Sequence, residues 1–237
     1  MKIALLGYGK MGKMIEKLAQ ERGHHIVLRH DGAASIKDFM GAEVAIDFST
    51  PQAAVHNICT AFLSGIPVVC GTTGWLDKMS EVETSCLNNH AAFIYASNFS
   101  LGVNLFFDLN KKLAAIMEPH GYEISLKEIH HTQKLDAPSG TAISLAEGIL
   151  PFTNSNDWVL KENQTKGIAN ALTIASKRVG DTPGTHSVSY KSEVDSIEII
   201  HTAHNRKGFA IGAIVAAEWI KNKKGIFSMS DVLALQP

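Results

Sequence analysis

The sequence predicts an α/β protein in which a parallel sheet, covered by helices on both faces, precedes a second domain with an antiparallel or mixed sheet. Short strand-like runs alternate with helical segments over the first hundred residues, which is the pattern of βαβ units. After about residue 98, several strand-like runs follow one another without helices between them. We therefore expect one domain formed by residues 1–99 and 206–237, and another formed by residues 100–205.

The predicted first domain contains alternating strands and helices. The strands are Lys2–Leu6, His25–Arg29, Glu43–Phe48, Ile66–Cys70 and Ala92–Ala96, and the helices are Lys13–Arg22, Pro51 to about Leu63, and Leu76–Asn89. Pro51 lies in the first turn of its helix, where proline is favoured. Ile66–Cys70 is a continuous apolar run between glycines, which indicates a strand buried on both faces.

The predicted second domain begins with a helix and contains most of its strands in succession. Its elements are the helix Val103–Met117, the strand Tyr122–His130, a helix from about Gly140 to Leu150, and the strands Ala171–Arg178, His186–Lys191 and Ser196–His201. A last apolar helix, about Gly208–Lys221, is expected to return to the first domain.

Composition excludes several classes of protein. The 22 basic and 23 acidic residues give a net charge of −1, so we expect neither a nucleic-acid nor a membrane partner. The three cysteines form no CxxC pair, which argues against a disulfide framework or zinc knuckle and fits a reducing compartment. The first apolar run, Ile3–Leu6, is too short for a signal peptide, and no run reaches the ~18 residues of a membrane span. We expect a soluble, cytoplasmic protein.

A glycine-rich motif follows the first strand and opens a helix. Its residues are Gly7, Tyr8, Gly9, Lys10, Met11 and Gly12. Gly7 permits a tight turn, Gly9 lets a pyrophosphate approach, and Gly12 allows close helix–strand packing. The helix N-terminus would stabilise the phosphate charge. This context predicts a dinucleotide-binding site, although an ordinary glycine-rich turn is the alternative.

The preference between NADH and NADPH stays open. Asp31 lies 19 residues after Gly12, near the position of an acid that binds ribose hydroxyls, and its charge favours NAD. Arg29 and His30 stand beside it and are able to accept a 2′-phosphate. Either is equally explained as a solvated surface side chain.

Two further loops follow predicted parallel strands at the edge where ligands bind in such sheets. Small or hydrogen-bonding residues there would contact the cofactor, unless these are ordinary loops. The residues are Gly71, Thr72 and Thr73 in the first loop, and Ala96, Ser97, Asn98 and Phe99 in the second.

The segment with the most chemistry runs from Glu128 to Thr141. It places His130, His131 and Lys134 in a loop before a helix that Ser139, Gly140 and Thr141 open. The free amides of that helix would hold a carboxylate beside proton donors. Such an arrangement suits reduction of a dicarboxylic imine or enamine.

Two other interpretations of this segment are possible. Ser139 or Thr141 would also serve as a helix cap. A metal site at His130 and His131 is disfavoured, because adjacent strand residues point to opposite faces and neither an HExxH motif nor a cysteine partner is evident. A third set of polar residues is explained mostly as exposed turns, and we assign it no role: Arg178, His186, His201, His204 and Arg206.

Taken together, these motifs resemble those of the dihydrodipicolinate reductase family. The matching segments run nearly end to end: GYGKMG, DFSTP (47–51), GTTGW (71–75), ASNFSLGVN (96–104), the region of Arg178–Gly180 and Gly184–His186, and EIHHTQKLDAPSGTA (128–142). The last of these is highly specific, whereas GxGxxG and GTTG are not. The chain is short for the family, and its glycine loop is one residue tighter than the GxxGxxG form.

The resemblance implies a fold, an activity and a set of roles. It implies a Rossmann-type cofactor domain and an α+β substrate and oligomerisation domain that builds a homotetramer. It implies reduction of 4-hydroxy-tetrahydrodipicolinate by NADH or NADPH in lysine and diaminopimelate synthesis. His130 would be the general acid, Lys134 a second proton donor, and His131 and Gly140–Thr141 substrate ligands. The alternatives are an aspartate- or homoserine-type dehydrogenase and a non-catalytic nucleotide-sensing regulator.

Overall fold

The structure, a computed structural model, describes residues 1–161 and 171–235. The strands in chain order are β1 (Lys2–Leu6), β2 (His25–His30), β3 (Val44–Asp47), β4 (Val68–Cys70), β5 (Ala92–Tyr95), β6 (Glu123–His130), β7 (Asp157–Leu160), β8 (Ala171–Arg178), β9 (Thr185–Lys191), β10 (Ser196–Thr202) and β11 (Gly225–Phe227). The helices are α1 (Lys10–Glu21), α2 (Pro51–Leu63), α3 (Met79–Asn88), α4 (Leu101–Met117), α5 (Gly140–Ile149), α6 (Lys207–Ile220) and α7 (Met229–Val232).

These elements form two units. Unit 1 comprises Met1–Leu101 and Lys207–Pro237, and unit 2 comprises Gly102–Arg206. Each unit contains its own sheet and its own apolar core. The assignment of cofactor binding to one unit, and of substrate binding and oligomerisation to the other, stays a prediction at this point.

Unit 1 is built on a six-stranded parallel sheet with the order β11-β5-β4-β3-β1-β2. Successive side chains of β1 point to opposite faces. Ala4 and Leu6 therefore join an apolar cluster with residues of α2 and α3, while Ile3 and Leu5 join one with residues of α1 and α6. The sheet is thus buried on both faces, and the predicted fold class is confirmed.

Unit 2 contains a five-stranded sheet with the order β10-β9-β6-β8-β7. The pairs β10–β9 and β9–β6 are antiparallel, whereas β6–β8 and β8–β7 are parallel, so the sheet is mixed. Helices α4 and α5 supply Phe106 and Ile149 to a core that also contains Ile174 and Tyr190 from the sheet. The central strand of this sheet, β6, has two buried polar residues at its carboxyl end, Glu128 and His130.

Most differences from the predicted elements lie at their ends. Helix α1 begins at Lys10 rather than Lys13, because the glycine loop passes directly into it. Strand β4 begins at Val68 rather than Ile66, since Pro67 has no amide to donate. The predicted helix 76–89 is a 3₁₀ turn followed by α3. The sequence does not predict β7 and β11, because runs of four and three residues are too short to show a period of two.

The described helices differ from those of membrane-spanning proteins in length and hydropathy. Within residues 1–161 and 171–235, none is both long and apolar enough to span a membrane.

Candidate functional site

Two glycines of the glycine loop in unit 1, Gly7 and Gly12, pack closely against neighbouring backbone. Gly7 has φ +87° and its amide donates to His30 O at 2.8 Å. A Cβ on Gly7 would lie 2.1 Å from Phe48 O, and a Cβ on Gly12 would lie 2.3 Å from Gly7 O. Any side chain at these two positions would force the backbone apart, so glycine is required there.

The same loop is open on its outer side. A Cβ on Gly9 would meet no atom within 4 Å among the described residues. Gly9 is the N-cap of α1, and in the described part of the chain no side chain caps this helix. The amides of its first turn are therefore available to an anion, and the open space at Gly9 fits a pyrophosphate.

The other predicted cofactor residues follow neighbouring strands at the carboxyl edge of this sheet. Asp31 follows β2, and its Oδ1 accepts a hydrogen bond from Tyr8 N at 2.6 Å. Gly71–Thr73 follows β4 and Ala96–Phe99 follows β5, so both loops emerge at the same edge as the glycine loop. Strand order reverses beside β1, which is where ligands bind in open parallel sheets.

Two of these residues have structural roles. The Phe99 side chain is buried in the core of unit 1, 6.0 Å from the Phe48 ring. Thr72 is buried, and its hydroxyl donates to Asp47 Oδ1 at 2.5 Å while it accepts from Ser49 N at 2.8 Å. In the same two loops Thr73 and Ser97 are exposed, and Gly71, Ala96 and Asn98 are half-buried.

Replacing Gly9 by alanine is expected to weaken NADH binding about tenfold or more without lowering stability. The added methyl group enters space that is open in the protein but that a pyrophosphate would need. Gly12→Ala should instead lower both stability and binding, because its methyl group meets Gly7 O. Calorimetric titration and urea unfolding of both variants separate the two effects. Unchanged NADH affinity in Gly9→Ala would contradict this placement of the pyrophosphate.

Asp47, at the end of β3, is a buried carboxyl group in this unit. It is 0% exposed, and burial raises its pKa to about 6 although hydrogen bonds from Thr72 and Ser49 oppose the rise. In the unfolded chain its pKa returns to the ordinary value of 3.8. Between these values the folded state holds a proton that the unfolded state lacks, so stability falls as pH rises.

Replacing Asp47 by asparagine is therefore expected to remove this loss of stability. From pH 4 to pH 7 the unfolding free energy of the wild type should fall relative to that of Asp47→Asn by roughly 2 kcal/mol. Urea unfolding at four pH values measures the difference. Asp77→Asn, which changes an exposed carboxyl group of the same unit, is the control. Parallel profiles for wild type and Asp47→Asn would contradict the prediction.

In unit 2, a buried carboxylate organises the end of β6. Glu128 is 0% exposed and lies two residues before His130, so both side chains occupy one face of the strand. Its oxygens accept from Ser139 N at 3.1 and 3.2 Å and from Ser176 Oγ at 2.7 Å. Burial raises the pKa of Glu128, but contacts with His130, Ser139 and Ser176 outweigh burial and hold this pKa below its usual range.

Arg178, at the end of the neighbouring strand β8, supplies a positive charge to this carboxylate. Both terminal nitrogens of its guanidinium lie 3.3 Å from Glu128 Oε1. The same side chain donates to Asp136 O at 2.6 Å and to Lys134 O at 3.3 Å. Arg178 therefore fixes the backbone of the loop that carries Lys134.

Two histidines complete the buried cluster. His130 Nδ1 lies 3.2 Å from Glu128 Oε2, at ion-pair distance but not aligned as a hydrogen bond. His186 of β9 stacks edge-on against His130 with ring centroids 5.0 Å apart, and its Nε2 lies 3.1 Å from Ser139 Oγ. Burial, followed by the charge of His130, lowers the pKa of His186 to about 4. His186 is thus a neutral neighbour near pH 7.

The predicted substrate residues lie around this cluster. Ser139 caps α5, accepting from Ala142 N at 3.3 Å, so the predicted cap is confirmed. A Cβ on Gly140 would meet no atom within 4 Å among the described residues, and Thr141 is half-buried. His131 is half-buried, and in the part of the chain that the structure describes its Nδ1 has no hydrogen-bond partner. Lys134 Nζ binds the Asp136 carboxylate at 2.7 and 2.8 Å.

One group of residues has the types and spacing of a metal site. The potential ligand atoms of Glu128, His130 and His186 lie within 4.8 Å of one another. His131, which follows the last residue of β6, is not part of this group. Arg178 already neutralises Glu128, so a cation there would have to overcome a neighbouring positive charge.

Sequence reasoning assigned no role to Glu128, Arg178 and His186. It counted the region of Arg178 and His186 in the family resemblance but explained these residues mostly as exposed polar turns. In the structure His186 is buried and Arg178 contacts a buried carboxylate. The only signal for Glu128 was its spacing of two residues from His130. The other two come from β8 and β9, and their positions depend on the register of the sheet.

Comparison with known proteins agrees with this geometry. The family model "Dihydrodipicolinate reductase, N-terminus" matches residues 1–99, and "Dihydrodipicolinate reductase, C-terminus" matches residues 102–233. The 4-hydroxy-tetrahydrodipicolinate reductase of Christiangramia forsetii is 52% identical over 99% of this chain and 98% of its own. That of Methanosarcina acetivorans is 37% identical over 82% of this chain and 74% of its own.

A solved structure supports the fold. Dipicolinate-bound dihydrodipicolinate reductase from Paenisporosarcina sp. TG-14 superposes with a TM-score of 0.79 at 22% identity, covering 96% of this chain and 97% of its own. The resemblance predicted from the motifs is therefore confirmed. The chain belongs to the dihydrodipicolinate reductase family.

Proposed function

We propose that this chain is an NAD(P)H-dependent oxidoreductase that converts 4-hydroxy-tetrahydrodipicolinate to tetrahydrodipicolinate in lysine and diaminopimelate synthesis. One observation carries the proposal: a single buried carboxylate, Glu128, contacts both the His130 ring and the Ser139 amide at the start of α5. Glu128 would thereby hold a proton donor, His130, close to the anion-binding start of α5. Membership of the family supplies the identity of the substrate.

Unit 1 would bind the cofactor at the carboxyl edge of its sheet. The pyrophosphate would lie over Gly9 at the start of α1, and Asp31 would bind the adenosine ribose. When bound, the dihydronicotinamide supplies the hydride. The remaining contacts would come from Tyr8, Lys10, Met11, Gly71, Thr72, Thr73, Ala96, Ser97, Asn98 and Phe99, with Thr72 and Phe99 contributing through their backbones.

Unit 2 would bind the dicarboxylate and deliver a proton. One ring carboxylate would be held by the amides of Gly140 and Thr141 at the start of α5. His130 Nδ1 faces Glu128, so we place the transferred proton on His130 Nε2, which lies beside Gly184. A Cβ at position 184 would lie 3.0 Å from this nitrogen, and glycine keeps that space clear.

Lys134 would bind the substrate by exchanging partners. Its ammonium group contacts Asp136, whose side chain is 59% exposed, and an exposed ion pair is weak. A substrate carboxylate would replace Asp136 at Lys134, while Arg178 keeps the loop backbone in place. His131 and Ser139 would complete the substrate site, with Lys134 as a second proton donor.

The assembly and location are further parts of the proposal. We propose a cytoplasmic homotetramer formed through unit 2. Apolar side chains of β10 are solvent-exposed in the single chain, with Ile200 58% and Ile197 42% exposed, which supports burial against another copy. Light scattering of the purified protein should give about four times the mass of the chain.

A coupled assay tests the activity. Purified protein should oxidise NADH or NADPH, followed at 340 nm, only when aspartate semialdehyde, pyruvate and the preceding synthase are present. Pyridine-2,6-dicarboxylate, a planar analogue of the ring, should inhibit competitively. No absorbance change would refute the proposal, whereas turnover of aspartate or homoserine would indicate another type of dehydrogenase. Tight cofactor binding without turnover of any substrate would indicate a nucleotide-sensing regulator.

A further inference from the structure

Glu16, on α1, binds the side chain of Tyr8 in the glycine loop and that of Arg29 on β2. Its carboxylate accepts from Arg29 Nε at 3.0 and 3.2 Å, and Arg29 Nη2 contacts it as well. The Tyr8 hydroxyl donates to Glu16 Oε2, whereas the shorter contacts of Arg29 are with Glu16 Oε1. The Glu16 side chain is 13% exposed and that of Arg29 is 42% exposed, so the pair is shielded from solvent on the carboxylate side and open on the guanidinium side.

This group lies beside the expected position of the adenosine ribose. Tyr8 is in the glycine loop, and its amide binds the Asp31 carboxylate at 2.6 Å. Arg29 precedes Asp31 by two residues, and its guanidinium lies 6.0 Å from the centre of the Tyr8 ring. An acid at this position contacts the ribose 2′-hydroxyl, and a nearby arginine accommodates a 2′-phosphate.

The charge of Arg29 is already neutralised in this structure. Glu16 engages the side of the guanidinium that offers two parallel donors, which is the geometry that also suits a phosphate. A 2′-phosphate would have to displace Glu16 from Arg29 and approach the negative Asp31. A second cation, Lys13, also lies near the Tyr8 ring, with its Nζ 5.9 Å from the ring centre.

We infer that Glu16 is a specificity-determining residue that favours NADH over NADPH by keeping Arg29 from a 2′-phosphate. The inference rests on the proposed cofactor site and concerns its selectivity. Tyr8 takes part by holding the second oxygen of Glu16, so that the carboxylate stays turned toward Arg29. Asp31 adds repulsion of the 2′-phosphate from the other side.

Calorimetric titration with NADH and with NADPH tests the inference without depending on turnover. Glu16→Gln should increase the affinity for NADPH relative to NADH by about tenfold, because the freed guanidinium gains a charge-assisted contact. Adding Arg29→Gln should abolish this gain. Glu218→Gln is the matched control, since it removes one negative charge and breaks the Arg22–Glu218 pair elsewhere in unit 1; its affinity ratio should equal that of the wild type.

A single variant tests the inference even if Glu16→Gln is poorly folded. Arg29→Gln alone should change the affinity for NADPH less than about threefold, because Arg29 is held by Glu16. A tenfold loss would show that Arg29 already binds the phosphate and would overturn the inference. An unchanged ratio in folded Glu16→Gln would overturn it as well. Failure of the wild type to bind either cofactor would instead refute the cofactor site on which the inference rests.

Discussion

Replacing Lys134 by alanine should lower turnover by on the order of 10²-fold or more. In the proposed site this ammonium group donates a proton and binds a substrate carboxylate, and alanine can do neither. Arg178 holds the backbone at positions 134 and 136, so the loop should keep its shape in the variant. The coupled assay at saturating cofactor measures the loss, and circular dichroism checks the fold.

The matched control for this variant is Lys112→Ala. Lys112 also forms an ion pair with an aspartate, Asp108, at 3.0 Å in the same unit, but it is an exposed residue of α4 and, among the described residues, contacts no member of the cluster. Its loss should leave turnover close to that of the wild type. A near-wild-type rate for Lys134→Ala would remove Lys134 from the mechanism.

Replacing Glu128 by alanine should destabilise unit 2 by about 3–5 kcal/mol, the usual cost of removing one partner of a buried ion pair. The change leaves the Ser139 amide and the Ser176 hydroxyl without this acceptor, and it removes the carboxylate that balances the charge of Arg178, at a position that is fully buried. Hydrogen exchange of the β6 and β8 amides measures the loss within unit 2. Glu128→Gln, which keeps an acceptor oxygen, should lose less.

Glu123→Ala is the control for this measurement. Glu123 is an exposed glutamate at the start of the same strand, so its replacement tests whether any loss of charge on β6 has the effect. The unfolding free energy calculated from the exchange rates should change by no more than about 0.5 kcal/mol, which is typical of a surface substitution. Equal protection in Glu128→Ala and Glu123→Ala would show that Glu128 does not hold the cluster together.

Local sequence patterns were sufficient for the features of this protein that depend on neighbouring residues. The glycine loop, the alternation of strands and helices, and the cap at Ser139 each depend on a few consecutive residues with a known backbone requirement. The His130–Lys134 segment was found in the same way, because its chemistry is dense within one loop.

The contacts between distant strands could not be obtained in this way. Glu128 and Arg178 are 50 residues apart, and they meet only because β6 and β8 pair in parallel with His130 opposite Arg178. His186 reaches the cluster through the antiparallel register of β6 and β9, in which it lies opposite Glu128. A shift of one residue in either register would turn these side chains to the other face, and composition does not specify that register.

The return of α6 and β11 to the first sheet has a consequence for synthesis of the chain. One face of that sheet is covered by Ala213, Ile214 and Ala217, which the ribosome adds after all of unit 2. Until then, a nascent chain carries the first five strands with the apolar face of Val69 and Ile94 unprotected by α6. Unit 2 can fold before α6 is synthesised, because all of its residues precede α6. Unit 1 contains the start of the chain, but it reaches its final packing only after unit 2 has been synthesised.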